Sequence, residues 1–139
     1  MKLLGIDFGT KRIGLALGDT ATKLALPFKT VLNDNEIFEN LKKIVATDMI
    51  ETFVVGRPVS LGGGDSGKTL DEVKDFSAKI KEKIGIPIIF EDERFSSDLA
   101  DSLSHLYGEK IERDSVAAMA ILQSYLDKIS DESLLKSEV

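Results

Sequence analysis

Acidic residues occur at three places in this 139-residue sequence where a folded chain could gather ligands for a metal ion. Asp7 ends the apolar run that begins at Leu3, the triplet Glu91-Asp92-Glu93 ends a second apolar run, and Asp114 begins a long apolar stretch. Carboxylates in one crevice repel each other unless divalent cations bridge them, and oxygen-only ligands suit Mg²⁺ or Mn²⁺. Two such ions about 4 Å apart activate a water molecule and stabilise the leaving oxygen in phosphodiester hydrolysis.

Each acid also has a structural explanation that the sequence leaves open. A carboxylate in an apolar strand is costly to bury, so Asp7 lies at the open end of the sheet, binds a cation, or pairs with Lys11 or Arg12 across the following turn. Asp114 is of a type favoured at a helix N-cap, where it complements the helix dipole. The triplet 91–93 is also compatible with an ordinary solvated strand end.

Basic residues lie beside these acids in the sequence, namely Lys11, Arg12, Arg94 and Arg113. As charge-assisted donors they could offset the acids or bind the phosphates of a substrate. The net charge is −6, from 18 Lys and Arg against 24 Asp and Glu, which argues against indiscriminate binding of nucleic acid. A local basic rim around an acidic site is compatible with that balance.

The elements that must position these residues follow from the spacing of apolar side chains. Two strand-length runs flank a Gly-containing turn at 8–12 and predict a β-hairpin. A third strand is predicted at 24–31, where Pro27 favours an edge or bulged strand. Further strands are predicted at 52–55 and 86–90, and helices at 37–45, 70–84, 96–106 and 114–129. Thr69 and Glu72 form a capping box for the second of these helices, which Gly85 ends.

This order predicts an α/β fold with a five-stranded mixed sheet and helices on both faces. Short connections favour antiparallel pairing of the first three strands, whereas the last two join in parallel through right-handed crossovers. The first strand is then central, so acids at the ends of the first and last strands can converge with an acid on a helix. We expect one domain over 1–130 and a polar, disordered tail over 131–139.

Composition narrows the possible chemistry. Cys is absent and His105 is the single His, which excludes thiolate and multi-His zinc sites and argues against a His-based triad. No apolar run approaches the roughly 18 residues of a membrane span, and the first residues lead into a strand rather than a signal peptide. We therefore expect a cytoplasmic protein with no membrane partner.

A second motif points to another class of function. Residues 62–69 (GGGDSGKT) match the phosphate-loop pattern G-x-x-x-x-G-K-[ST] between a predicted strand and a predicted helix. The acids after strand 86–90 could hold the Mg²⁺ of such a site. Several residues separate the motif from the preceding strand, however, and a single predicted strand follows it, whereas a P-loop NTPase has several. A P-loop NTPase is therefore the less favoured hypothesis.

Four stretches resemble the YqgF family of RNase H-like nucleases, which is linked to pre-16S rRNA processing and Holliday-junction resolution. The resemblance runs over roughly residues 2–126. The four stretches follow one another in the family's order: 5–16 (GIDFGTKRIGLA), 53–58 (FVVGRP), 90–97 (FEDERFSS) and 114–126 (DSVAAMAILQSYL). Two features depart from the family pattern, namely Arg57, where an apolar residue is usual, and the glycine-rich segment 62–69.

The resemblance implies an RNase H-like fold and implies Asp7, Glu93 and Asp114 as the catalytic acids. Adjacent strand residues point to opposite faces, so the choice between Asp92 and Glu93 as the ligand at the strand end stays open. The metal would be Mg²⁺ or Mn²⁺, with two ions expected. Lys11, Arg12, Arg94 and Arg113 are then candidates for binding substrate phosphates.

We therefore hypothesise a metal-dependent endonuclease that processes the 5′ end of pre-16S rRNA, presented within a ribosomal particle. The first alternative is a Holliday junction resolvase that acts on four-way DNA. A non-catalytic RNase H-like binding module is a further alternative, which the presence of all three acids makes less attractive. The oligomeric state does not follow from the sequence.

Overall fold

The computed structural model describes residues 1–58, 69–93 and 113–137, and the side chains of the last helix as far as Ile129. These ranges contain β1 (Lys2–Asp7), β2 (Arg12–Asp19), β3 (Leu24–Leu32), α1 (Ile37–Asp48), β4 (Thr52–Arg57), α2 (Leu70–Lys83), β5 (Ile88–Asp92) and α3 (Arg113–Ser137). The predicted helix at 96–106 and most of the phosphate-loop motif lie outside the described residues. No helix in the described ranges is long and apolar enough to cross a membrane.

The strands form one sheet in the order β3-β2-β1-β4-β5, so β1 is central. β2 is antiparallel to β1 and β3, whereas β4 is parallel to β1 and β5 is parallel to β4. The predicted mixed sheet is therefore confirmed. β3 is an edge strand, as Pro27 predicts, and it contains a bulge: Pro27 lies opposite Ala16 and Lys29 opposite Leu15, which leaves Phe28 as the extra residue.

Helices cover both faces of the sheet because side chains alternate along the central strands. Leu4 and Ile6 pack with buried side chains of α1 and α2, whereas Leu3 packs with buried side chains of α3. A Cβ at Gly5 would also meet α3, so the odd-numbered positions of β1 face that helix. Asp7, the last odd position of β1, lies on the same face.

Local signals set the ends of α2 as the sequence predicts. The hydroxyl of Thr69 accepts the backbone N–H of Glu72 at 3.2 Å and lies 3.2 Å from the Glu72 carboxylate. Gly85 has φ of +81°, the left-handed conformation that commonly ends a helix. The same threonine that would belong to a phosphate loop thus serves here as a helix cap.

The bounds of several elements differ from the predicted ones, among them those of β5 and α3. β5 begins at Ile88 rather than 86, because Pro87 has no N–H for the ladder, and it continues through Glu91 and Asp92, which pair with β4. α3 continues past Ile129 to Ser137, because no Gly or Pro occurs after residue 129 to end it. The helical backbone thus extends into the predicted tail, and the division at residue 130 stays a prediction.

Candidate active site

Asp7 lies at the end of the central strand, with its side chain half-buried. It pairs with Gly14 of β2 across the hairpin. Asn33, which follows β3, holds the intervening turn: its side-chain Nδ2 donates to the carbonyl of Gly9 at 2.9 Å, and its backbone N–H donates to the carbonyl of Lys11 at 2.9 Å. The turn after Asp7 is therefore fixed from the edge of the sheet.

A close approach of α3 to Gly14 brings Asp114 to the same end of the sheet. A Cβ at position 14 would lie 1.9 Å from the carbonyl oxygen of Asp114, so only glycine allows the first turn of α3 to rest there. The Asp114 carboxylate contacts Arg12, with 3.4 Å between Oδ2 and Nε. Since Gly14 is the partner of Asp7, the start of α3 lies beside the end of β1.

A second glycine allows Glu93 to pack on the neighbouring strand. Ile6 of β1 lies opposite Val55 of β4, so the next residues along the two strands, Asp7 and Gly56, are level with each other. A Cβ at position 56 would lie 2.9 Å from both Cγ and Cδ of Glu93, and 2.5 Å from an isoleucine of α3. The Glu93 side chain therefore covers Gly56 on the α3 face, the face of Asp7.

Asp92 lies on the opposite face and has a partner there. Its Oδ1 accepts hydrogen bonds from Nε and Nη2 of Arg57, at 2.9 and 2.6 Å. The guanidinium of Arg57 is thus directed at this acid. Of the two acids that the sequence leaves open, Glu93 is thus the one that shares a face with Asp7, and Asp92 does not.

The predicted basic residues are distributed unevenly around this site. Lys11 is exposed in the hairpin turn, and Arg12 contacts Asp114 while most of its side chain remains exposed. Arg113, also exposed, begins α3 beside Asp114. Arg94 lies outside the described residues. A groove of about 480 Å³ opens next to Asp114, lined by Arg12, Thr30, Val31, Leu32, Arg113 and Asp114.

The donor set fits a hard cation, although a closed metal site is not formed. Within residues 1–58, 69–93 and 113–129, no three Asp, Glu or His side chains are close enough together to hold an ion. Mg²⁺ usually keeps several waters and binds through one or two carboxylates together with substrate phosphates, so it does not require a complete protein cage. Asp7, Glu93 and Asp114 carry carboxylate oxygens, the type of ligand that such an ion prefers.

One ion pair near the site is not among the contacts that the sequence predicts. Glu91 is buried with 4% of its side chain exposed, and it forms an ion pair with Lys128 of α3. Its position could have been predicted in part, because residues 91 and 93 of an extended chain share a face. Its partner could not, since nothing local in the sequence relates Lys128 to β5.

Comparisons with known proteins identify the family of this chain. A family model described as "RuvX: Holliday junction resolvase" matches residues 1–128. A protein of Sulfurihydrogenibium sp. named "Putative pre-16S rRNA nuclease" is 37% identical over 134 residues, which cover 93% of this chain and 92% of the relative. A protein of the same name from Maridesulfovibrio salexigens is 38% identical over 133 residues, covering 91% and 98% of the two chains.

Solved structures of Holliday junction resolvases share the fold. RuvC of T. thermophilus in complex with a Holliday junction substrate superposes with a TM-score of 0.59 at 12% identity, covering 91% of this chain and 93% of that one. The fowlpox virus resolvase in complex with Holliday junction DNA gives 0.57 at 12% identity, covering 93% and 99%. The fold is therefore RNase H-like. Because the family model covers residues 1–128, this chain belongs to the RuvX family, also called YqgF.

Proposed function

We propose that this chain is a metal-dependent endonuclease that hydrolyses phosphodiester bonds, with the 5′ end of precursor 16S rRNA as its substrate. The observation that supports it is the position of Asp7, Glu93 and Asp114 on one face and at one end of the sheet. The names of the relatives at 37% and 38% identity support the choice of substrate. Such a substrate would place the protein in the cytoplasm.

In this proposal the three acids hold Mg²⁺ or Mn²⁺, with Asp7 central because it ends the middle strand. When bound, two such ions would activate the attacking water and offset charge on the leaving oxygen. Arg12 and Arg113 bind phosphates beside the scissile bond as charge-assisted donors. Lys11 and Arg94 are further candidates for that role. Asp92, held by Arg57 on the other face, is not a ligand in this scheme.

Charge favours a substrate that is presented by other molecules. The chain carries 18 basic against 24 acidic residues, whereas duplex affinity comes largely from neutralised phosphates. Aromatic residues make up 6% of the chain, so platforms for stacking single-stranded bases are sparse. A precursor rRNA end in a ribosomal particle suits this balance, because neighbouring RNA and proteins supply part of the binding surface.

A cleavage assay with Mg²⁺ or Mn²⁺ tests the proposed site. We expect Asp7→Asn to lower the rate of precursor rRNA cleavage roughly 100-fold or more, since it removes a group needed in the transition state. Asp48→Asn, which changes the same charge at the end of α1, is the matched control and should cleave like the wild type. Cleavage that persists unchanged in Asp7→Asn would refute the site.

Metal binding gives a second readout that does not depend on the RNA. An ion that binds the native state raises the melting temperature by mass action. We expect Mg²⁺ or Mn²⁺ to raise the melting temperature of the wild type and of Asp48→Asn more than that of Asp7→Asn. Equal stabilisation of all three proteins would show that Asp7 is not a ligand.

Resolution of Holliday junctions is the second candidate function, and the description of the family model favours it. A resolvase makes paired, symmetric cuts, which require two sites related by a dimer axis. The same preparation should therefore be given both substrates, with Asp7→Asn as the control for contaminating nuclease. Symmetric, Asp7-dependent cutting of the junction with the precursor rRNA left intact would reverse our choice.

A P-loop NTPase remains the least favoured alternative. Thr69 caps α2, and β5 is the one strand that follows the motif within the described residues. We expect titration calorimetry to detect no MgATP binding that depends on Lys68. Saturable binding that is lost in Lys68→Ala would revive this alternative.

A further inference from the structure

The groove beside Asp114 combines features that suit a nucleotide. It lies between the start of β2, the end of β3 and the first turn of α3, and has a volume of about 480 Å³. Two arginines, Arg12 and Arg113, line it together with Asp114. The groove opens directly from the acid that would complete the metal site.

The balance of charge distinguishes this side of the site from the other. On the β5 side, Arg57 binds Asp92 and Lys128 binds the buried Glu91, so these cations are matched by acids. On the β3 side, Arg12 is 67% exposed and contacts Asp114 at 3.4 Å, a distance longer than that of a close ion pair. Of these three cations, Arg12 is therefore the one that its acid holds least closely, and the one most accessible to a phosphate.

Thr30 supplies a second, independent feature of the groove. It lies opposite Gly14 on the edge strand, and its hydroxyl is buried without a hydrogen-bond partner. In the part of the chain that the structure describes, Ser77 of α2 carries the other such buried hydroxyl. Because the hydroxyl has almost no accessible surface, a ligand in the groove reaches it only after rotation about χ1, which exchanges the hydroxyl and methyl positions on Cβ. A hydrogen bond to the ligand then recovers the free energy that the unpaired buried hydroxyl costs.

Leu32 provides an apolar surface at the mouth of the groove. It pairs with Arg12 at the end of β3 and is 64% exposed. An exposed aliphatic side chain beside an arginine can contact a sugar while the arginine binds the attached phosphate. The groove thus offers groups whose chemistry matches the phosphate and the sugar of one nucleotide.

We propose that this groove binds the nucleotide next to the scissile phosphate of a single nucleic-acid strand. Arg12 and Arg113 bind its phosphate, the Thr30 hydroxyl donates a hydrogen bond to a phosphate or sugar oxygen, and Leu32 contacts the sugar. The strand consequently leaves the acids over β2 and β3 rather than over β4 and β5. This inference rests on the proposed function, because it takes nucleic acid as the substrate.

Two hydroxyl deletions test the role of Thr30 against a merely structural one. In the Asp7→Asn background, we measure the affinity for a short fluorescein-labelled single-stranded RNA by anisotropy, together with the melting temperature. Thr30→Val and Ser77→Ala each remove an unpaired buried hydroxyl, so neither should lower the melting temperature. Thr30→Val should weaken RNA binding about threefold to tenfold, the worth of one hydrogen bond. Ser77→Ala should leave the affinity unchanged.

The salt dependence of binding tests Arg12 in the same background. Arg12→Ala should weaken binding and reduce the slope of log K against log salt by about 0.7, the value for one phosphate contact on a single strand. Lys79→Ala, which removes an exposed charge from α2, is the control and should leave the slope unchanged.

Affinity that is unchanged in Thr30→Val would overturn the groove whatever Arg12→Ala does, because an exposed guanidinium attracts phosphates from outside a groove as well. This result is distinct from failure of the proposed function. If wild-type cleavage depends on Asp7 while Thr30→Val binds normally, the groove is refuted and the nuclease stands. If binding depends on Thr30 and Arg12 but cleavage does not depend on Asp7, the groove stands and the proposed active site is refuted.

Discussion

The ion pairs Arg12–Asp114 and Glu91–Lys128 both connect α3 to the sheet, and their surroundings differ. At the start of the helix, Arg12 and Asp114 are 67% and 35% exposed. Further along, Lys128 is 63% exposed but its partner Glu91 is only 4% exposed. An exposed pair contributes about 0–1 kcal/mol, whereas a buried carboxylate that loses its partner is left as an uncompensated charge at much greater cost.

The comparison separates stability from function along one helix. Both members of the Arg12–Asp114 pair are accessible, so a phosphate or a cation can replace either partner with little loss of stability. The Glu91–Lys128 pair holds α3 against β5 and leaves no such exchange open, because Glu91 has almost no exposed surface. We infer that the Glu91–Lys128 pair anchors α3 to the sheet, whereas the Arg12–Asp114 pair takes part in the function.

The largest effect is expected from a substitution of Gly14, on which the first turn of α3 packs beside the candidate site. In Gly14→Ala the new Cβ would lie 1.9 Å from the carbonyl oxygen of Asp114, so α3 must shift. We expect a loss of about 3 kcal/mol in the free energy of unfolding, measured in urea, together with loss of cleavage.

Gly85→Ala is the matched control for that change. Position 85 has φ of +81° and open space around a Cβ, so the cost is conformational and about 1–2 kcal/mol, with cleavage retained. If Gly14→Ala proves no less stable than Gly85→Ala, the contact between α3 and β2 is looser than the structure indicates.

Loss of the Glu91–Lys128 pair should affect stability more than activity. Lys128→Met keeps most of the apolar stem but leaves Glu91 buried without its cation, so we expect a loss of roughly 1–3 kcal/mol in the free energy of unfolding. Cleavage below the unfolding transition should be preserved. Adding Glu91→Gln should recover part of the loss in a double-mutant cycle, and an additive result would show that the two side chains do not interact.

The Arg12–Asp114 pair should show the opposite pattern, with a larger effect on activity than on stability. Arg12→Met removes one member of an exposed pair, so the free energy of unfolding should change by less than about 1 kcal/mol. Cleavage of precursor rRNA at low substrate concentration should fall about tenfold, since a charge-assisted contact to phosphate is lost. A variant that is strongly destabilised yet fully active would invert our assignment of the two pairs.

The smallest effect concerns Asp19, at the opposite end of the sheet from the site. The backbone N–H of Ala21 donates to its carboxylate at 2.8 Å and lowers its pKa below the ordinary value of 3.8, with a smaller contribution from the N-terminal amine. Because the folded pKa is depressed, this stabilisation is present above pH 3.8 and is lost as the pH falls through the folded pKa. Asp19→Asn should therefore be slightly less stable than the wild type near neutral pH, and the difference should vanish in acid.

Urea unfolding of both proteins across the acid range measures that difference. A gap between the two proteins that persists at the acid end would mean that the carboxylate charge is not its source.

The elements and most of the fold can be predicted from the sequence, since the signals for them are local. The apolar period predicts the strands and helices, Pro27 marks the edge strand with its bulge, and Thr69 with Gly85 sets the ends of α2. The four motifs resembling YqgF also lead to the family. The weaker predictions were the ends of β5 and α3, where polar residues continue an element without an apolar period.

The arrangement of the acids cannot be predicted from the sequence. It depends on tertiary packing, because sheet register and the approach of the helix set which residues meet. Glu93 rather than Asp92 shares the face of Asp7, a choice that depends on where β5 pairs with β4. Gly14 and Gly56 are ordinary strand residues in the sequence, and they become essential only because α3 and Glu93 pack directly on them. Distances between residues far apart in the chain depend on the packing of the whole domain, which no local pattern encodes.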